Sequence, residues 1–337
     1  MEIQKRLFRP ANGGAFPNPI GFGGAPLGNL FSVVPDQLAE ETIRAAWDSG
    51  VRYFDTAPFY GTGLSEQRMG QILREMPRDD FVLSTKVGRR LIRDESVPST
   101  QHGYVHGLPF RVEYDYSSDG AFRSIEDSLN RLGVDRLDVV YIHDIAEDTH
   151  GPDWERQYRT AINGAARALS DMRAQGLIQS WGLGVNRVEP CVRALADSDP
   201  DIFLLAGRYT LLDTTALNSL IPACMRCDAK LVIGGPYNSG LLAGGTTFEY
   251  STAPREMVEK ASRMAVRCAE FGVSLKAAAL QFCSAPEPVC AVIAGARNPD
   301  EVHENVKQMS VRIPRGLWQA LKHDGLIPEH APEPTPR

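Results

Sequence analysis

The stretch Arg52-Tyr53-Phe54-Asp55-Thr56-Ala57-Pro58-Phe59-Tyr60-Gly61 packs a short aromatic run, an abrupt acidic stop and a Pro/Gly-punctuated loop into ten residues. An apolar run this short, rich in residues that favour strands and closed by turn residues, reads as a buried strand running into a loop. The same pattern recurs along the chain. Comparable runs lie at 20–25, 52–56, 81–87, 137–143, 180–185, 202–209, 230–235 and 290–295. Between them lie amphipathic segments at 36–49, 65–76, 121–132, 154–175, 189–196, 216–226, 256–271 and 274–284, with apolar spacing such as Ile125, Leu129 and Leu132. Ser65 is placed to cap one helix, and Gly50, Gly133, Gly176 and Gly272 to close others.

Strands apolar on both faces, alternating with helices, demand a parallel sheet covered by helices, and eight such strands close into a (β/α)8 barrel. An open doubly wound sheet is the rival fold. It calls for a GxGxxG turn opening a helix after the first strand, whereas Gly21-Phe22-Gly23-Gly24 runs into Ala25-Pro26-Leu27-Gly28, a loop. The reading is one domain over residues 1–327, a flexible Pro- and charge-rich tail over 328–337, and a long connection at 88–119 of the kind that forms lids or binding loops.

Of the 337 residues, 43% are hydrophobic and 23% charged, the balance of a chain able to bury a large core. A formal net charge of -6, with no basic run longer than Arg89-Arg90 or Lys5-Arg6, gives little reason to bind nucleic acid or anionic membranes. No apolar stretch is long enough to span a bilayer, and residues 1–10 are polar, so a cytoplasmic location is expected. The six cysteines are too sparse for a disulfide scaffold. Cys224 and Cys227 have CxxC spacing but no second pair or nearby His, so they read as chance neighbours on a helix.

In barrel enzymes the reactive side chains stand where strands end and the following loops begin. That rule selects Asp55 with Tyr60 in the loop after it, Lys86, and His143. Singly, each has a plainer reading: a loop cap, a packed ring, a solvated charge, a core histidine. Jointly, at the mouths of consecutive strands, they would meet in one pocket and suit proton transfer coupled to hydride transfer. An ordinary tyrosine titrates near 10, and a cation at about 4 Å is worth roughly 4 kcal/mol at an effective dielectric near 20, so Lys86 is expected to draw the Tyr60 proton toward neutrality. Asp55 would hold Lys86, and His143 would hydrogen-bond the substrate oxygen.

The stretches from Phe54 to Gly61, Ser65-Glu66, Ser84-Thr85-Lys86, the run from Asp138 to His143, and Gly182-Leu183-Gly184-Val185-Asn186 together resemble the aldo-keto reductase family, from about residue 15 to about residue 310. The resemblance implies a nicotinamide-dependent barrel with Asp55, Tyr60, Lys86 and His143 as catalytic tetrad. It implies cofactor contacts from Gly24, Asn186, Tyr209, Gly235, Pro236, Tyr237, Gly240, Leu241, Gly295, Arg297, Glu301, Glu304 and Asn305. Three positions depart from the family pattern. Val185 precedes Asn186 where the family has Ser, Ala206 replaces its glutamine, and Gly234 replaces its stacking aromatic, a loss that Tyr209 or Tyr237 would offset.

Gly295, Ala296 and Glu301 stand where NADPH-preferring members grip the 2′-phosphate. A carboxylate repels a phosphate and accepts from a ribose hydroxyl, so NAD is expected over NADP, with Arg297 as the residue able to reach either the pyrophosphate or a 2′-phosphate. The chain most resembles the branch that oxidises C1 of aldoses of the L-fucose, L-galactose or D-arabinose type to lactones. The branch that oxidises pyridoxal to 4-pyridoxolactone follows, and then a general aldehyde reductase. His102, Tyr104, His106, Arg111, Tyr114 and Asp115 would line a polyol pocket or stand as a solvated loop. A small-molecule substrate and a monomer or small homo-oligomer are expected, and no metal. A non-catalytic cofactor-sensing subunit would have no use for Tyr60 and Lys86 together. A metal-dependent hydrolase would need His-x-His-like ligand spacing that the seven histidines lack.

Overall fold

The computed structural model describes residues 19–335. The polar segment 1–10 and the last two residues of the expected tail lie outside the described residues. Eight parallel strands close into a barrel: β1 (Ile20–Gly23), β2 (Tyr53–Asp55), β3 (Val82–Val87), β4 (Val139–His143), β5 (Ser180–Val185), β6 (Ile202–Ala206), β7 (Lys230–Gly234) and β8 (Val289–Gly295). Each pairs with the next in sequence, and β8 returns to β1 with Ile20 opposite Val292. All eight runs read from the sequence are strands, shortened by a residue or more where the reading included loop residues, as at Gly207 to Tyr209.

Side chains alternate along a strand, so every second residue points into the barrel. Tyr53, Val82, Val139 and Tyr141 fill the interior with Ile202, Leu204, Val232 and Ile293. Two residues after Tyr53, four after Val82 and two after Tyr141, the same inward series delivers Asp55, Lys86 and His143 to the open end. The register fixes their relative heights: Asp55 lies opposite Ser84, Lys86 opposite Tyr141 and His143 opposite Gly184. A side chain at Gly184 would press on Tyr141, its Cβ 3.2 Å from the tyrosine Cβ, and touch the Lys86 Cε at 3.4 Å. The outward residues pack under the ring of helices in the larger apolar core.

Several local expectations change. The segment 154–175 is two helices, Trp154–Asn163 and Ala165–Ala174. Gly164 breaks it because the chain from Tyr116 presses against it: an added Cβ would fall 2.6 Å from the Tyr116 carbonyl oxygen, and Ala165 N–H bonds that same oxygen at 2.9 Å. Ser65 lies inside the helix Leu64–Leu73 rather than capping it, and its hydroxyl donates to the carbonyl of Gly24 at 2.7 Å. Gly50, Gly133, Gly176 and Gly272 all have positive φ after helices, as expected.

Helices Pro299–Ser310 and Arg315–His323 complete the outer layer. The first is announced by Asn298, whose side chain accepts from Glu301 N–H, followed by Pro at the first helical position, a start signal that the strand-helix count leaves out. Past residue 328, where the sequence suggests a frayed tail, Ala331 is buried and Glu333 accepts from Arg315 at 2.9 Å and Lys322 at 3.2 Å. The 88–119 connection is folded. Arg89–Arg93 pairs antiparallel with Phe110–Tyr114, and Thr100–Gln101 with Tyr104–Val105. Among the described residues no helix is long and apolar enough to cross a membrane. Cys224 is buried and Cys227 exposed on the helix Leu220–Cys227, both as free thiols.

Candidate active site

At the open end of the barrel Lys86 Nζ donates to Asp55 Oδ2 at 2.7 Å and to the Thr56 carbonyl at 2.8 Å. Ser84 Oγ donates to the other carboxylate oxygen at 2.7 Å. Asp55 thus enters with both oxygens bonded, as a buried charge requires. Burial still pushes its carboxyl above the ordinary value, against the pull of Lys86 and Ser84. The Lys86 ammonium lies 4.7 Å from the centroid of the Tyr60 ring, and the His143 ring is 6.0 Å from Tyr60, edge to face. The four residues selected from the sequence therefore meet in one place.

Their electrostatics depart from expectation. Tyr60 is not drawn down by Lys86. Burial, with the charge of Asp55 second, holds its phenol well above the usual tyrosine range, and Arg89 opposes only in part. The reason is geometric: the ammonium spends two of its donors on Asp55 and Thr56 and is neutralised by the carboxylate. His143 is buried, and burial followed by the charges of Arg89 and Lys86 pushes its imidazole well below the ordinary value, so the ring is neutral near pH 7. Its Nδ1 is buried without a partner.

Two cavities meet at Tyr60. The larger, about 550 Å³, is a groove leading over β6, β7 and β8. Of the residues assigned to a cofactor, Asn186, Gly235, Pro236, Tyr237, Gly240, Gly295, Arg297, Glu301, Glu304 and Asn305 line it. Gly24, Tyr209 and Leu241 do not. Gly24 is packed under Ser65 and Met69, Tyr209 is fully buried with its ring stacked on Phe282 at 5.0 Å, and Leu241 belongs to the core. Tyr209 is therefore in no position to replace a stacking aromatic, whereas Tyr237 lines the groove and donates to Asn305 Oδ1 at 2.7 Å.

At the far end Glu301 Oε2 accepts from the Arg297 backbone N–H at 2.8 Å, and Lys276 pairs with Glu304 at 2.7 Å. The buried Arg297 Nε has no partner. An unpaired guanidinium nitrogen beside the N-terminus of a twelve-residue helix fits a phosphate group, and a groove of this size fits a dinucleotide. The residues present thus suit a nicotinamide nucleotide.

The smaller cavity, about 360 Å³, opens from Tyr60 toward Phe59, Arg89, His102, Tyr104, His143 and Asp144. Of the six polar loop residues that the sequence offers for a polyol pocket, only His102 and Tyr104 reach it. Arg111 pairs with Glu113, Asp115 caps Ser117 and pairs with Arg90, Tyr114 packs on His150, and His106 stays outside both cavities. Sequence reasoning misses Phe59, Arg89, Asp144 and also Tyr250, which lines both cavities. Asp144 is visible as the residue after a strand-end histidine and Arg89 as the third after Lys86. Tyr250 carries no signal, since a hairpin over 247–252 brings it across the mouth.

Comparison with known proteins agrees with this architecture. The profile described as "Aldo/keto reductase family" matches residues 19–323. Pyridoxal 4-dehydrogenase of Microbacterium luteolum is 40% identical, with 91% of this chain and 94% of the relative covered. D-threo-aldose 1-dehydrogenase of a Pseudomonas species is 38% identical, with 92% and 94% covered. The solved structure of a glycerol dehydrogenase from Gluconobacter oxydans superposes with a TM-score of 0.71 at 21% identity, covering 94% of this chain and 93% of that one. A (β/α)8 barrel, a tetrad at its open end and a matching profile over nearly all described residues lead to one conclusion: the chain belongs to the aldo/keto reductase family and is a nicotinamide-dependent oxidoreductase.

Proposed function

We propose that the protein is an NAD-dependent dehydrogenase that oxidises a cyclic hemiacetal to a lactone, with aldoses of the L-fucose, L-galactose or D-arabinose type as substrates. The observation that carries this reading is the Asp55–Lys86 pair beneath the Tyr60 ring, with a neutral His143 across the same opening. A bound nicotinamide supplies the hydride acceptor. His143, neutral and lining the smaller cavity, orients the substrate oxygen, and the Oη of Tyr60, as phenolate, takes the hydroxyl proton as the carbonyl forms. Tyr60 is thereby left as the neutral phenol; Lys86 is the cation beside that phenolate, and Asp55 with Ser84 keeps Lys86 in place. In the reverse direction the same phenol donates.

NAD rather than NADP is supported by Glu301, whose carboxylate borders the groove end beside Arg297 and would repel a 2′-phosphate. Asn186, Tyr237, Arg297, Glu304 and Asn305 are the groove residues proposed to hold the nucleotide. The hemiacetal of pyridoxal is the second substrate reading, favoured by the rings of Phe59 and Tyr104 in the smaller cavity and by the 40% identical relative. Appearance of reduced nicotinamide across a panel of aldoses and pyridoxal, with NADP as comparison, tests both readings. Turnover with neither class, or with NADP alone, would overturn them.

A further inference from the structure

In the substrate cavity, one step beyond the tetrad, Arg89 and Asp144 form a buried ion pair at 2.5 Å, their side chains 7% and 13% exposed. The fold goes to some trouble to place them. Arg89 follows Gly88, which turns the chain out of β3 at φ 100°. Asp144 adopts φ 47°, a left-handed backbone that a side-chain-bearing residue enters only at a cost, and strain of that kind collects where a side chain is needed. The Arg89 guanidinium carbon lies 3.9 Å from the centroid of the Phe59 ring. Asp144 Oδ2 is 3.5 Å from His143 Nε2, so the pair touches the group that orients the substrate oxygen.

The pair is not internally complete. Arg89 Nε is buried with no hydrogen-bond partner, and His143 Nδ1, on the same cavity, is equally unpartnered. Buried polar atoms are rarely left unpaired, so two such atoms on residues that line one cavity point to a ligand there. The ligand's chemistry follows from the charge balance. A lone guanidinium suits a carboxylate or phosphate, but here the neighbouring carboxylate cancels its charge, and the other carboxylate on the wall, Asp148, is paired with Arg187. What remains is an adjacent donor and acceptor with no net positive charge, the complement of a hydroxyl group, which both accepts and donates.

Resting on the dehydrogenase reading above, we propose that the Arg89–Asp144 pair binds a hydroxyl group flanking the reacting carbon and is the specificity determinant for uncharged, hydroxylated ring substrates. Phe59, with the guanidinium over its ring, and Tyr104, set edge-on to Phe59, supply apolar walls of the same cavity.

The test is a substitution cycle on kcat/KM with L-fucose against 2-deoxy-L-fucose and pyridoxal against 3-deoxypyridoxal. A hydrogen bond to a charged group predicts that the wild type favours each hydroxylated substrate over its deoxy partner by about ten- to a hundredfold. In Arg89→Gln that preference shrinks to about threefold or less, and Arg89→Lys, which keeps the charge but not the planar fork, falls between. Thermal melting and NAD binding confirm that the variants are folded, and Asp144→Asn repeats the measurement should Arg89→Gln fail to fold. An unchanged preference in a folded variant, with both partners slowed equally, assigns the pair a structural role and overturns the proposal while leaving the dehydrogenase reading intact. A wild type that turns over none of the four compounds overturns both.

Discussion

The Lys86 ammonium lies 4.7 Å from the centroid of the Tyr60 ring and is tethered by Asp55 at 2.7 Å. A cation so held cannot swing away when the charge on the phenol changes, so its position is built into the barrel rather than induced by a ligand. That rigidity comes from register: Asp55 and Lys86 project inward from neighbouring strands, and both are almost fully buried.

The pair's burial makes it a liability when broken. Lys86→Met leaves the Asp55 carboxylate without its counter-ion, a change expected to cost about 3–5 kcal/mol. Adding Asp55→Asn removes the stranded charge, so the double variant should recover most of that loss. Thermal or urea unfolding of both singles and the double measures the coupling. Simple additivity would mean that the pair contributes nothing as a unit.

Tyr60 sets the pH dependence. Because its folded pKa lies above the ordinary tyrosine value, the base form needed for oxidation is scarce at neutrality and grows as pH rises. The oxidative kcat/KM should therefore climb into the alkaline range, whereas carbonyl reduction, which uses the protonated phenol, should stay flat through neutrality. Tyr60→Phe should lose about 10²–10⁴-fold in both directions while retaining NAD binding. A plateau of the oxidative profile below neutral pH would assign the proton to another group.

Both the barrel and the tetrad can be read from the sequence for one reason: each inward residue of a parallel strand is followed by another two positions on, so strand-end chemistry is written in the same period as the strand. The residues that escape such a reading reach the cavity through tertiary contacts instead. Arg89 gets there because a hairpin folds the 88–119 connection back over the mouth, and Tyr250 because its own hairpin crosses from the other side. Tyr209 is misplaced by sequence because counting residues along a strand end cannot tell a groove wall from the helix packing behind it, where the ring meets Phe282. The phenol shifts in the direction opposite to expectation because its burial, which a sequence does not show, is the largest effect on it, and the charge of Asp55 adds to that.

Cofactor preference can be moved at one residue. Glu301→Arg replaces a repulsive carboxylate by a phosphate ligand, and a charge-assisted bond predicts a relative gain for NADP of about ten- to a hundredfold in kcat/KM. Glu301 also accepts from the Arg297 N–H, so the variant should lose a little stability at that helix start. Glu301→Gln, which removes repulsion without adding attraction, should shift preference less. Equal NAD:NADP ratios in all three proteins would place the adenosine end elsewhere.

Gly88 offers a test of how the hairpin couples to the site. Its φ of 100° would be strained in any other residue, and an added Cβ would fall 2.3 Å from the Tyr116 ring. That ring's hydroxyl donates to the His143 carbonyl at 2.9 Å, so displacing it disturbs the backbone under the histidine proposed to orient the substrate. Gly50, at φ 84° with open space around the position an added Cβ would take, isolates the backbone cost alone. Gly50→Ala should therefore lose about 1–2 kcal/mol and keep its kcat. Gly88→Ala should lose the same strain plus about 1–3 kcal/mol of overpacking, and lose turnover as well. Melting temperatures and kcat for the two variants separate the contributions. Equal losses with unchanged turnover would show that Tyr116 yields without disturbing His143.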